Sequence, residues 1–212
     1  MEITWLGHSC IKIQSRGITL ITDPYPASIG ISMGKPNANI VTVSNEDTNH
    51  SYVNGITGNP KVLSGPGEYE IENYYISGLG TDRYEFEGDT RINTVFSYRV
   101  EGITLCHLGD IGKPLLPRDI ERLRQSDILF VPVGGGCVAE SSQIAQMART
   151  ISPRLVIPLH YQMDKIKVEL SPLEDFLKAF EVNDPTPQNK LTATATNLPR
   201  DLEVAILSIS SK

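Results

Sequence analysis

The chain has 212 residues, of which 40% are hydrophobic and 21% are charged, and its formal net charge is −6 at pH 7. The length suits one α/β domain with a sizeable core, and the composition is that of an ordinary globular protein. A net negative charge gives no general attraction for polyanions, which disfavours nucleic acid as the main partner. The sequence contains no apolar run long enough to span a bilayer, so we expect no membrane partner.

The N-terminal sequence and the cysteines predict a cytoplasmic protein. Met1 to Trp5 lead directly into an alternating apolar pattern, without the basic and apolar regions of a secretory signal. The chain has three cysteines, an odd number at wide spacing, which indicates reduced thiols: Cys10, Cys106 and Cys137. A homo-oligomer is compatible with the sequence, which does not decide the oligomeric state.

Strand patterns dominate the first half of the chain. Alternating residues predict strands at 2–6, 10–14 and 18–22, and the last two flank a turn at Ser15-Arg16-Gly17 that indicates a hairpin. Further strands are predicted at residues 40–43, 61–63, 74–76, 94–98 and 103–106.

Helices are predicted only in the second half, where they alternate with strands. The predicted helices are 117–125, 142–151 and 172–180, and the predicted strands are 127–133, 155–159 and 202–209. Ser171-Pro172-Leu173-Glu174 predicts a capping box with proline at the first helical position. Hairpins first and strand–helix alternation later predict two face-to-face sheets with helices outside, in a single domain over residues 1–212.

Each histidine in the chain follows a predicted strand. The four are His8, His50, His107 and His160, and the carboxylates near them are Asp23, Asp47 and Asp110. Strand ends in layered folds place polar side chains on a common rim, where sites are usually built. Imidazole and carboxylate ligands together suit Zn, Mn or Fe. A single histidine is more often structural, so the spacing alone is compatible with a metal site but does not establish one.

Several short segments follow one another over nearly the whole chain. They are Trp5-Leu6-Gly7-His8-Ser9, Thr22-Asp23-Pro24, the strand 40–43 with the His50 loop, and segments 65–70, 107–112, 131–136 and 157–161. Together they resemble the metallo-β-lactamase superfamily, in its branch of small bacterial and archaeal Zn-dependent hydrolases. The resemblance implies an α/β fold, the four-layer αβ/βα sandwich, with a metal site at one edge.

The metal-binding motif departs from the pattern of that superfamily. The family's His-x-His-x-Asp-His corresponds here to Asn45-Glu46-Asp47-Thr48-Asn49-His50, so only the last residue is kept. A later family histidine falls at Arg83, with Asp82 as the other possibility. The family's first metal site would therefore have lost its three imidazoles, and the guanidinium of Arg83 cannot bind a cation.

The ligands of the family's second metal site survive. The resemblance places His50, His160 and the bridging Asp110 there, which is the minimum for a catalytic ion with open positions. It implies one divalent ion (Zn, or Mn or Fe), or none. Asn49 stands where the family has an aspartate and offers only a neutral carbonyl oxygen. The candidate catalytic residues are Asp110, Asn49 and Asp47.

Five further residues are expected to contact the substrate or to support the ligands. The resemblance places His8 and Asp23 beside the site, either orienting a ligand or fixing a hairpin. His107 precedes a glycine turn and is expected to support the ligands or the fold, and Asn45 belongs to the altered motif. Arg83 is expected to occupy the first metal position and to pair with Asp47, where its charge could bind an anionic group.

Two functions remain open from the sequence. The first is a metal-dependent hydrolase with a reduced, mononuclear site that acts on an ester, lactone, amide or phosphoester. The second is a catalytically inactive protein of the same fold that binds or scaffolds without a metal. Either function implies a small-molecule substrate or ligand.

Overall fold

The computed structural model describes residues 1–82, 92–135, 138–182 and 186–210. Its strands, in chain order, are β1 (Glu2–Gly7), β2 (Cys10–Ser15), β3 (Ile18–Thr22), β4 (Ile40–Val43), β5 (Lys61–Ser64), β6 (Gly67–Ile71), β7 (Tyr74–Asp82), β8 (Ile92–Val100), β9 (Ile103–His107), β10 (Ile128–Pro132), β11 (Leu155–Leu159), β12 (Leu191–Thr192) and β13 (Glu203–Val204). The α-helices are α1 (Pro117–Leu123), α2 (Ser141–Ile151) and α3 (Leu173–Phe180). None of the described helices combines the length and the apolar character needed to cross a lipid bilayer.

The strands form two mixed sheets. The first sheet has the order β12-β1-β2-β3-β4-β5, with antiparallel pairs from β12 to β3 and parallel pairs from β3 to β5. The second has the order β13-β11-β10-β9-β8-β7-β6 and changes from parallel to antiparallel pairing between β9 and β8. A buried hydrogen bond of 2.7 Å between the hydroxyls of Thr42 and Tyr98 joins the two sheets.

Both faces of the first sheet are buried, because successive side chains of a strand point to opposite faces. Leu20 and Ile40 belong to the main core between the sheets, whereas Ile21 and Val41 belong to a smaller core on the outer face. Burial on both faces explains why β4 is apolar on both faces except at Thr42, rather than alternating.

The outer layers differ between the two sheets. Helices α2 and α3 cover the second sheet and bury Ile144, Ala148 and Phe176 in the main core. The outer face of the first sheet packs against short 3-10 helices (Ala27–Ile29 and Val53–Gly55) and the 163–170 loop. The predicted αβ/βα sandwich is confirmed, with a reduced outer layer on the first sheet.

Some predicted elements differ from the structure for identifiable reasons. Strand β6 has a half-exposed pattern with glutamates and was not predicted. Strand β7 continues well past residue 76, through Gly78 and Gly80, which weaken a strand signal. The predicted strand 202–209 is broken because its residues change partners: Glu203 and Val204 pair with β11, whereas Ile209 bridges to Trp5 in the first sheet.

The predicted capping box at Ser171 is wrong. Helix α3 begins at Leu173, and its N-cap is Pro172, which has an extended backbone and makes no side-chain capping bond. The backbone N–H of Ser171 instead donates to the carbonyl of Gly134. The tertiary contact with the loop after β10 therefore fixes Ser171 outside the helix.

Candidate metal centre

Three histidines from distant parts of the chain meet at one edge of the sandwich. His8 follows β1 and His50 follows β4, both in the first sheet, whereas His160 directly follows β11 in the second. All three are buried, and one ligand nitrogen from each lies within 4.8 Å of the other two. A tetrahedral Zn ion with Zn–N bonds of about 2.0–2.1 Å separates its ligands by roughly 3.4 Å. The cluster therefore matches a metal site after small ring movements.

Asp110 lies against two of these histidines. Its Oδ2 is 3.2 Å from Nε2 of His50, and its Oδ1 is 3.8 Å from Nε2 of His160. The backbone N–H of Asp110 donates to Oδ1 of Asn93 at 2.8 Å, and Nδ2 of Asn93 donates to the carbonyl of Leu108 at 2.9 Å. Asn93 therefore fixes the loop that carries the carboxylate, a role for which the sequence gives no signal.

Asp23 orients the ring of His50. Its Oδ2 lies 3.0 Å from Nδ1 of His50 and accepts a hydrogen bond of 2.6 Å from the Ser44 hydroxyl. Its Oδ1 accepts the backbone N–H of Ser44 at 2.8 Å. Burial alone would raise the pKa of Asp23, but its contacts with His50, His107 and Ser44 hold that pKa below its usual value. Asp23 is therefore ionised and accepts the Nδ1–H of His50.

The position of His50 between two carboxylates requires a proton or a cation between its Nε2 and Asp110. Donation of Nδ1–H to Asp23 leaves a neutral imidazole with a lone pair on Nε2, which faces Oδ2 of Asp110 at 3.2 Å. Two acceptors at this distance repel each other unless a proton or a cation lies between them. A divalent cation bound by both atoms satisfies this requirement, so the residues present fit a metal ion.

His8 adds a third imidazole to the cluster. Its ring centroid lies 4.8 Å from that of His50 and 4.4 Å from that of His160. Its Nδ1 is buried and has no hydrogen-bond partner among the described residues. Burial, together with the two neighbouring histidines, holds the pKa of His8 well below its usual value. The ring is therefore neutral and has a lone pair for a metal, although the sequence placed His8 only beside the site.

The backbone at the site is held in a conformation that side chains usually avoid. His8, Asp23 and His160 have φ angles of 51°, 38° and 54°, in the left-handed region. Such a backbone costs about 1–2 kcal/mol per residue and is often found at functional sites. Backbone hydrogen bonds hold it in place, including His160 N–H to the His8 carbonyl at 3.2 Å and Asp23 N–H to the Thr42 carbonyl at 2.9 Å.

His107 lies next to the cluster, and its ring makes two hydrogen bonds of its own. Its Nδ1 accepts the backbone N–H of Gly109 at 3.1 Å, so its Nε2 carries the proton and donates to the carbonyl of Ser9 at 2.9 Å. Both nitrogens are thus engaged away from the other three histidines. The ring ties the loop before Asp110 to the turn between β1 and β2.

Asn45 and Asp47, which replace residues of the family motif, form hydrogen bonds with the backbone of their own loop. Oδ1 of Asn45 accepts the backbone N–H of Asp47 at 3.0 Å, and Oδ1 of Asp47 accepts the backbone N–H of Asn49 at 3.0 Å. Asn45 is buried, whereas Asp47 and Asn49 are only partly buried. Arg83, with its predicted pairing to Asp47, lies outside the described residues.

Known proteins match the chain over most of its length. The Beta-lactamase superfamily domain matches residues 2–160. A UPF0173 protein of Pyrococcus furiosus is 28% identical over 185 residues, which cover 76% of this chain and 83% of that protein. A UPF0173 metal-dependent hydrolase of Lysinibacillus sphaericus is 25% identical over 196 residues, and the match covers 76% of this chain and 85% of that protein. A Thermotoga maritima structure, named as a Zn-dependent hydrolase of the metallo-β-lactamase superfamily, has 32% identity, a TM-score of 0.79 and 97% coverage of both chains.

Proposed function

Because the chain belongs to the β-lactamase superfamily, we propose that it is a hydrolase that depends on one divalent metal ion. The observation that carries the proposal is the buried cluster of three histidines facing a carboxylate. His50, His160 and Asp110 are the proposed ligands, and His8 is a further donor at the same centre. Zn, Mn and Fe all accept such a set of nitrogen and oxygen ligands.

The proposed chemistry divides between the ion and the side chains around it. A bound ion would supply Lewis acidity that polarises a carbonyl or phosphoryl group and lowers the pKa of water. Asp23 keeps the proton of His50 on Nδ1 and so keeps Nε2 available as a ligand. Asn93 holds the backbone of Asp110 so that its two oxygens face His50 and His160.

The proposed substrate is a small molecule with an ester, lactone, amide or phosphoester bond. The metal ligands are buried, whereas Asp47 and Asn49 lie partly exposed on the loop before His50. We therefore propose these two residues as contacts to the substrate. Asn49 can donate or accept a hydrogen bond there, but it cannot act as a base because its amide does not ionise.

The broader organisation of the protein is also a proposal. The two sheets share one main core, which supports a single domain over residues 1–212. Cys10 and Cys106 are free and buried, which supports a cytoplasmic protein.

Metal content per chain tests the proposed function. The protein would be purified without chelator, incubated separately with Zn, Mn and Fe, and measured by elemental analysis. We expect about one retained ion per chain, and its loss in His50→Ala and His160→Ala. His107→Gln is the matched control, because His107 is also buried but points away from the cluster. Circular dichroism would establish that each variant is folded.

Retention of no ion by the unsubstituted protein would refute the metal-dependent hydrolase. It would favour the second function, a fold that binds a ligand without hydrolysing it. If an ion is retained, p-nitrophenyl esters, a lactone and bis-p-nitrophenyl phosphate would then distinguish among the proposed bonds. Turnover that falls with metal content across the histidine variants is the expected result.

A further inference from the structure

A second candidate site lies on the outer face of the second sheet. A cavity of about 450 Å³ opens there, between strands β6 to β9 and the end of α1. Its described lining has no residue in common with the histidine cluster. The cavity is lined on β9 by Thr104, near the start of that strand. The strand ends at His107, which lies beside the metal centre. Cavities of this volume hold small metabolites.

The strand register aligns one row of polar side chains across the cavity. Tyr75 of β7 is paired with Glu70 of β6 on one side and with Arg99 of β8 on the other. Arg99 is in turn paired with Thr104 of β9. Directly opposite residues lie on the same face of a sheet. A carboxylate, a phenol, a guanidinium and a hydroxyl therefore stand side by side.

A second row follows two residues along each strand and so lies on the same face. It contains Glu68, Ser77 and Ser97, again paired across the strands. On the helical side the cavity is lined by Arg122 of α1 and, after the helix, by Gln125 and Ser126. Ser77, Ser97 and Ser126 thus each contribute a hydroxyl-bearing side chain to the lining.

The charges of the lining are separated between its two sides. Glu68 and Glu70 come from the edge strand β6, whereas Arg99 and Arg122 come from the strands and helix opposite. Neither arginine forms an ion pair within the described parts of the chain. A guanidinium presents paired N–H donors that match a carboxylate or a phosphate.

We propose that this cavity binds a small hydroxylated molecule through an oxyanion, a carboxylate or a phosphate, that contacts Arg99 and Arg122. The hydroxyl groups of such a ligand would face Ser77 and Ser97, with the two glutamates accepting hydrogen bonds from its far end. The site is independent of the proposed metal chemistry, because its lining lies on the outer face of the sheet and contains none of the proposed metal ligands.

Calorimetric titration tests this proposal with three probes at constant ionic strength. Gluconate represents a hydroxylated carboxylate, inorganic phosphate represents the other oxyanion, and glucose is the neutral control. We expect saturable binding of at least one anion and none of glucose. Arg99→Gln and Arg122→Gln should each weaken that binding about tenfold or more, since each removes a charged hydrogen-bond donor.

Two further variants separate this site from its surroundings. Arg118→Gln removes a charge from the same helix but from outside the lining, and it should bind as the unsubstituted protein does. His160→Ala, measured without metal, should also bind normally, so failure of the metal site would not affect the result. Absence of saturable anion binding, or anion binding that persists unchanged in the Arg99→Gln/Arg122→Gln double variant, would overturn the proposal.

Discussion

Replacement of Asp23 by asparagine should weaken metal binding without unfolding the protein. In the native site, Oδ2 of Asp23 accepts the proton on Nδ1 of His50 at 3.0 Å. An asparagine that keeps its oxygen on the Ser44 N–H would present its NH₂ group to that nitrogen. His50 would then accept at Nδ1 and carry its proton on Nε2, the atom that faces Asp110 at 3.2 Å. The ion would have to compete with this proton.

The size of the effect follows from the role of the carboxylate. Loss of a group that orients a metal ligand typically lowers metal affinity 10–100-fold, about 1.4–2.7 kcal/mol. The metal-free variant should keep most of its stability, because Nε2–H of His50 can donate to Asp110. Competition against a chromophoric chelator at neutral pH measures the affinity, and thermal unfolding without metal measures the stability.

Ser44→Ala provides the matched control for Asp23→Asn. It removes the 2.6 Å hydroxyl bond to Asp23 but keeps the backbone N–H bond and the carboxylate itself. We expect its metal affinity to change far less than that of Asp23→Asn. Equal metal affinity in Asp23→Asn and the unsubstituted protein would refute the assigned proton position on His50.

Acidification and three substitutions have expected outcomes that follow from the structure. Burial lowers the folded-state pKa of His8 and His107, so the unfolded chain binds more protons as the pH falls below the ordinary value of 6.5. The metal-free protein should therefore lose stability on acidification, by up to about 1.4 kcal/mol per pH unit for each histidine. Urea unfolding at several pH values measures this, and the unfolding free energy of His107→Gln should fall less steeply with decreasing pH. Asn93→Ala should destabilise the protein by about 3 kcal/mol in the same assay, because it leaves the N–H of Asp110 without its acceptor. The substitution should also weaken metal binding, and an unchanged metal affinity would argue against a positioning role for Asn93. Gly109→Ala should cost at least about 2 kcal/mol, since its φ is +61° and an added Cβ would contact Ser44 Cβ at 2.6 Å. Gly102→Ala has a similar φ of +76° but open space around the added Cβ, so it should cost only about 1 kcal/mol.

Elements with a clear apolar pattern were predictable from the sequence. Strands β4 and β11 were predicted at their observed bounds because both are buried on both sides and consist of apolar residues, apart from Thr42 in β4. Strand β6 was missed because its edge position leaves polar residues in it. Ser171 was misassigned because its capping pattern is local, whereas its contact with Gly134 is tertiary.

The candidate site was predictable only in part. The resemblance to the superfamily brought His50, His160 and Asp110 together, and the structure places them in contact. The approach of His8 to the other histidines depends on how the two sheets are packed, which spacing does not reveal. Asn93 looks like an ordinary polar residue of β8, and only the strand pairing shows that it reaches the loop of Asp110. The role of Arg83 stays a prediction.

The distribution of the cluster over both sheets has a mechanical consequence. His8 and His50 follow strands of the first sheet, and Asp110 and His160 follow strands of the second. An ion bound by all four would act as a cross-link between the layers, much as a disulfide links two segments. Ion binding at 100 times its dissociation constant adds about 2.7 kcal/mol to stability. Ion removal should therefore accelerate amide exchange in the strands on both sides of the interface, and not only in the loops that hold the ligands.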